Sequence, residues 1–127
     1  MERTTDITDQ VEAFMIALPQ YPEQPTRGIV DAMDVLELDG PALGRPLVDV
    51  IKLVPEYSDL VPLFGNHLKE LRPLGTDVRI LFAFGPDRTL VLLYAGDKAG
   101  NWRGWYPTAI REAAVLYREY LKGTGQA

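Results

Sequence analysis

The eleven residues GDKAGNWRGWY, Gly96 to Tyr106, hold Lys98, Trp102, Arg103, Trp105 and Tyr106 among three glycines. Glycine at that density disfavours a helix and lets a backbone turn or approach another surface closely, so the segment reads as a working loop. More cations precede it: Lys69 and Arg72 in HLKELR, and Arg79 in VRILFAF. Five cations near flat aromatic rings are a means of holding single-stranded RNA, because charges track phosphates while rings stack on bases. Plainer readings compete. An arginine at a strand end is commonly a surface residue, and Trp102 and Trp105, three apart, also suit covering a core beside a helix. His67, the single histidine, is a further candidate.

These residues need elements to position them. TDQVEAFMIAL places Val11, Phe14, Met15 and Leu18 on one helical face, with Asp9 and Glu12 resembling a capping box. PQYPEQP breaks that helix. A second helix is expected from Thr26, as N-cap, to about Leu38, with Ile29, Val30, Met33 and Leu36 in a stripe and Asp31, Asp34, Glu37 and Asp39 as a solvated face. From Leu47 the period changes to strands. VRILFAF and TLVLLYAG flank the turn GPDR and should pair antiparallel. HLKELR is a third candidate strand and LVDVIKL a weaker fourth. A last helix is expected from Pro107, with Ile110, Ala114, Tyr117 and Leu121 on one face. The result is an α+β layer architecture in one domain over residues 1–127.

Strand parity then sorts VRILFAF: Val78, Ile80, Phe82 and Phe84 meet the helices, and Arg79, Leu81 and Ala83 take the opposite, more open face. Arg79 can gather there with Lys69, Arg72, Lys98 and Arg103, although Lys69 and Arg72 are out of phase unless the strand ends or bulges before Pro73.

Composition bounds the alternatives. The net charge of −5 argues against a nucleic-acid partner when taken alone, but residues 1–40 hold two cations against nine acids, and residues 41–127 hold eleven against nine. A local cationic surface in the later part remains open. With no cysteine there is no disulfide or thiolate nucleophile, and one histidine makes a conventional zinc site a poor reading; no metal or cofactor is expected. P-loop, GxGxxG and HExxH patterns are absent. No apolar run approaches the ~20 residues of a membrane helix, and the polar, acidic start favours a cytoplasmic location without membrane contact.

At HLKELRP, followed by VRILFAFGPDRTLVLLYAGDKAGNWRGWY, the chain resembles the RelE/HigB superfamily of bacterial type II toxins, in its branch of phage-derived host-inhibition or HigB-like toxins. The likeness runs from about Gly40, through GPALGRPLVD, to the final helix, and more loosely across the first two helices. It implies a RelE-like fold: an N-terminal helical hairpin packed on a small antiparallel sheet of about four strands, with a C-terminal helix. It also implies a ribosome-dependent endoribonuclease that cuts messenger RNA in the ribosomal A site and is held inactive by a cognate antitoxin, often a helix-turn-helix protein. Carried onto this chain, the catalytic set is Lys69, Arg72, Arg79 and Lys98, and the RNA-binding set adds Arg103 and Tyr106, with Trp102 and His67 from the residue reading.

The implied reaction is attack of a ribose 2′-OH on the adjacent phosphate. Arg72 and Arg79 suit neutralising phosphorus charge. Lys69 suits the base if neighbouring cations lower its pKa, and His67 is its alternate. Two departures stand out: only ERTTDIT is available for an opening strand, and −5 is acidic for a protein that works on the ribosome. The second reading is a toxin-like protein that has lost cleavage and acts by binding an antitoxin or a host partner, and the third is a plain RNA-binding domain with no ribosome requirement.

Overall fold

Two continuous apolar runs build the centre of the molecule, because strands buried on both faces lose the alternation of half-exposed ones. The structure of the protein, a computed structural model, describes residues 4–18 and 26–124, and of Trp102 the backbone alone. β4 (Val78–Phe84) and β5 (Leu90–Asp97) are the two runs and pair antiparallel. β3 (Lys69–Leu71) adds antiparallel to β4, and β2 (Val48–Val50) antiparallel to β3. β1 (Thr5–Ile7) lies parallel to β5, giving the order β1-β5-β4-β3-β2.

The sheet is therefore five-stranded and mixed, not four-stranded and antiparallel as expected. β1 has too few residues to show a period. It is held instead by backbone: Leu90 donates to the Thr4 carbonyl at 2.9 Å and Thr8 to the Leu92 carbonyl at 3.1 Å. The Gln10 side chain then extends the ladder, donating to the Ala95 carbonyl and accepting from its N–H, both at 2.7 Å.

Among the described residues, four helices join the sheet. α1 (Asp9–Ala17) is capped by Thr8, whose hydroxyl accepts from Val11 N–H at 3.3 Å, one residue earlier than the expected box. α2 (Thr26–Asp39) buries Ile29, Ala32 and Leu36 and exposes Val30. The expected break at PQYPEQP lies outside the described residues. α3 (Val61–Phe64) is a single turn, and α4 (Trp102–Gly123) starts five residues before the expected Pro107.

The helices take both faces. α1 and α2 cover Val78, Ile80, Phe82 and Leu92, while α4 and the segment around Leu60 and Phe64 cover Leu81, Ala83, Val91 and Leu93. The strand parity holds, but the face carrying Arg79 is not the open one: α4 roofs it. Tyr120 of α4 donates to Asp6 at 2.8 Å and so ties the roof to β1.

Candidate functional site

Register decides which charges meet. Lys69 pairs with Phe82 and Leu71 with Ile80, so both face α1 and α2, whereas Glu70 pairs with Leu81 and faces α4. Arg72 follows in phase with Glu70: its Nε lies 3.9 Å from Glu70 Oε1 and its Nη1 3.7 Å from Asp49 Oδ2. β4 brings Arg79 to the same face.

β5 requires a bulge to join them. Leu81 pairs with Tyr94 but Phe82 with Leu92, so Leu93 is extra and the parity beyond it reverses. Gly96, opposite Arg79, is thereby turned toward α4. A Cβ there would stand 2.6 Å from Trp105 Nε1, so glycine is required for the indole to lie on the strand. Gly96→Ala should push Trp105 and the first turn of α4 outward at a cost of about 1–3 kcal/mol. Urea unfolding followed by tryptophan fluorescence would register both effects.

Gly100, at φ 75°, turns the chain from β5 into α4. Lys98 N–H donates to the Asp77 carbonyl at 3.0 Å and Asn101 N–H to the Lys98 carbonyl at 3.0 Å, so the bend is stapled to the start of β4. The Lys98 side chain reaches the Tyr106 ring, 5.6 Å from Nζ to the ring centre.

The outcome is a cluster of Glu70, Arg72, Arg79, Lys98 and Tyr106 beneath the first turns of α4. Glu70, Arg79 and Lys98 are 6%, 5% and 3% exposed, unusual for charged residues without function or close pairing. Arg79 Nη1 donates to the carbonyls of Val78 at 2.7 Å and Thr76 at 3.1 Å. Among the described residues, its Nε and Glu70 Oε2 are buried without a hydrogen-bond partner, the kind of cost that native structures seldom carry idly. Burial, and then the Arg79 guanidinium, lower the Lys98 pKa from its ordinary value, with Glu70 opposing.

Burial, and then Glu70, push the Tyr106 hydroxyl up to about 12. Tyr120 also reaches about 12, through burial and then its bond to Asp6. Between the ordinary phenol value of 10.0 and about 12, the folded chain keeps protons that the unfolded chain has lost. The stability these phenols contribute is thus whole below pH 10.0 and is lost as the pH rises toward about 12. Lys98 acts in the opposite sense only below its ordinary 10.5. Melting curves should fall from about pH 10 upward, and Tyr106→Phe with Tyr120→Phe should flatten the fall.

Of the residues expected at the site, Arg72, Arg79, Lys98 and Tyr106 converge. Lys69 does not: it points to the other face, its Nζ 6.0 Å from the Phe84 ring centre. His67 is exposed on the turn after α3, where its N–H donates to the Phe64 carbonyl at 3.0 Å. Arg103 is exposed in the first turn of α4 and lines, with Tyr106, an open cleft of about 380 Å³. Trp102 opens α4, and its side chain lies outside the described residues.

Glu70 is the member of the cluster that the sequence reading does not include. Its signal was available: it lies between Lys69 and Leu71 in a strand, and a carboxylate two residues from Arg72 shares that residue's face.

A buried charged cluster on a five-stranded sheet, framed by helices on both faces, defines a small α+β protein. Comparison with known proteins is specific. The phage-derived protein Gp49-like family matches residues 17–118, which include the whole cluster. The chain is 46% identical over 101 residues to the candidate toxin HigB3 of Mycobacterium tuberculosis, covering 80% of this chain and 78% of that protein. It is 43% identical over 93 residues to the candidate toxin HigB2 of the same organism, covering 71% of this chain but 42% of HigB2. The chain belongs to the phage-derived Gp49-like family of HigB-like toxins. Among the described residues, no helix is long and apolar enough to cross a membrane.

Proposed function

We propose that this chain is the toxin of a type II toxin–antitoxin pair and acts as a ribosome-dependent endoribonuclease on translated messenger RNA. The observation that carries this reading is the meeting of Arg72, Arg79 and Lys98 with Glu70 and Tyr106 under one helix end, within the segment matched by the family. Its partners on this reading are a cognate antitoxin of the helix-turn-helix kind, the ribosome and the message.

The reaction follows from the groups at hand. Glu70 accepts the proton of a ribose 2′-OH, and the freed oxygen attacks the adjacent phosphorus. Arg72 and Arg79 neutralise charge growing on the phosphoryl oxygens, Arg79 through donors that folding leaves partly unused. The bond to the 5′ oxygen breaks, and that oxygen takes a proton from Tyr106, which is fully protonated at neutral pH, or from Lys98. The products are a 2′,3′-cyclic phosphate and a free 5′-OH. Arg103 lies beside Tyr106, where the strand would leave the site. No part at the phosphate is proposed for Lys69 or His67.

A second reading has its own support. Glu70, Arg79 and Lys98 are each less than a tenth exposed and the chain carries −5, which suits a toxin-like protein that no longer cuts and works by binding an antitoxin or host protein. Induced expression separates them. Growth arrest with new 5′ ends inside translated frames supports the nuclease; arrest with intact messages supports the binding protein.

A further inference from the structure

A second set of aromatic and charged groups lies next to the cluster and shares Tyr106 with it. The cleft of about 380 Å³ is lined by Lys52, Glu56, Tyr57, Arg103, Tyr106 and Ile110 among others. That volume falls at the small end of pockets that hold small molecules, roughly 300–1,000 Å³. Tyr106 belongs to both sites: its ring meets Lys98 of the cluster on one side, and the residue lines the cleft.

Tyr57 is set like a platform. The Arg111 guanidinium lies over its ring, 5.2 Å from the centre, and is itself anchored by Asp59 at 2.6 Å. Tyr57 N–H donates to the Leu53 carbonyl at 2.6 Å, which fixes the backbone beneath the ring. The ring, packed against the core beside Leu60 and Phe64 and overlaid by a cation, lines the cavity, and such an aromatic–cation pair offers flat surface to a nucleobase. Lys52 and Arg103 supply charge for a phosphate. Glu56 supplies acceptors for base N–H groups and repels phosphate from its own side, which orients the nucleotide.

We infer that this cleft is a base-binding subsite for the nucleotide next to the reacting phosphate, with the base on Tyr57 and its phosphate against Arg103 and Lys52. The inference rests on the nuclease reading, since the shared Tyr106 is what joins the two sites.

The test is a titration of the full chain with a short, single-stranded 2′-O-methyl RNA, which cannot be cut, followed by backbone amide shifts. Shifts should concentrate at 52–57 and 103–110. Tyr57→Leu keeps the apolar packing and removes the stacking surface, and should weaken binding about tenfold or more. Arg103→Ala, at an exposed position, should weaken it several-fold and reduce its salt dependence. Melting curves confirm that each variant folds. Titrations unchanged in both variants, shifts lying elsewhere, or a parent that binds none of the RNA would overturn the subsite. If that happens while the parent still cuts message, the nuclease reading stands alone. A parent that binds at the cleft but cuts nothing overturns the nuclease reading and leaves a nucleotide-binding site.

Discussion

Glu70→Gln will retain the fold and lose cleavage by about 10²–10⁴-fold, the range that a positioned proton acceptor contributes. The amide matches the carboxylate in shape, so the packing of β3 against Leu81 persists. What disappears is a negative charge buried among Arg72, Arg79 and Lys98. The substitution carries its own structural readout. Glu70 follows burial among the causes that raise Tyr106, so removing its charge should bring that phenol down from about 12. Absorbance titration of the phenols would follow this without any RNA. Lys69→Ala is the contrast: Lys69 faces the opposite side of the sheet, and its loss should cost far less cleavage than Glu70→Gln. Full activity in the glutamine variant would remove Glu70 from the chemistry.

Phe82→Ala will destabilise the protein by about 3–5 kcal/mol, the usual cost of truncating a fully buried phenylalanine. Phe82 is 0% exposed in the middle of the central strand and meets Phe84 edge-on at 5.8 Å. It lies under α1 and α2, where Ile80 and Leu92 cannot collapse into the space without moving the sheet. Domains of ordinary size have about 5–15 kcal/mol in all, so a large share goes with one ring. Equilibrium urea unfolding gives the value, with Val115→Ala as reference. Val115 is 47% exposed on α4, and its truncation should change stability by about 0.5 kcal/mol or less.

Much of this architecture was legible from pattern. The runs of β4 and β5, the turn between them, the two amphipathic helices before β2 and the one after β5 all follow from apolar spacing and turn chemistry. Other features depend on contacts that no spacing records. β1 is three residues long and is defined by backbone and Gln10 hydrogen bonds to β5, some 85 positions away. The early start of α4 runs against Gly104 and Pro107, whose local preferences oppose a helix. Tertiary contact overrides them: the Trp105 indole lies on Gly96 of β5.

The site divides the same way. Arg79 was readable from strand parity alone. Lys98 lies near it only because the bulge at Leu93 reverses the parity of β5, a shift that strict alternation does not contain. Lys69 shares the KELR motif with Arg72, yet a single-residue step along a strand sends a side chain to the other face. The same step makes Glu70 the inward residue. The expectation of an open face around Arg79 failed because α4, a helix distant in sequence, folds back over it.

The most direct test of the proposed chemistry is the end groups of message cut in a translation reaction assembled from purified components. With the parent chain, the account predicts upstream fragments ending in 2′,3′-cyclic phosphate, downstream fragments beginning with 5′-OH, and neither species with Glu70→Gln. Fragments bearing 5′-phosphates, or translation that stops while every message stays whole, would contradict it.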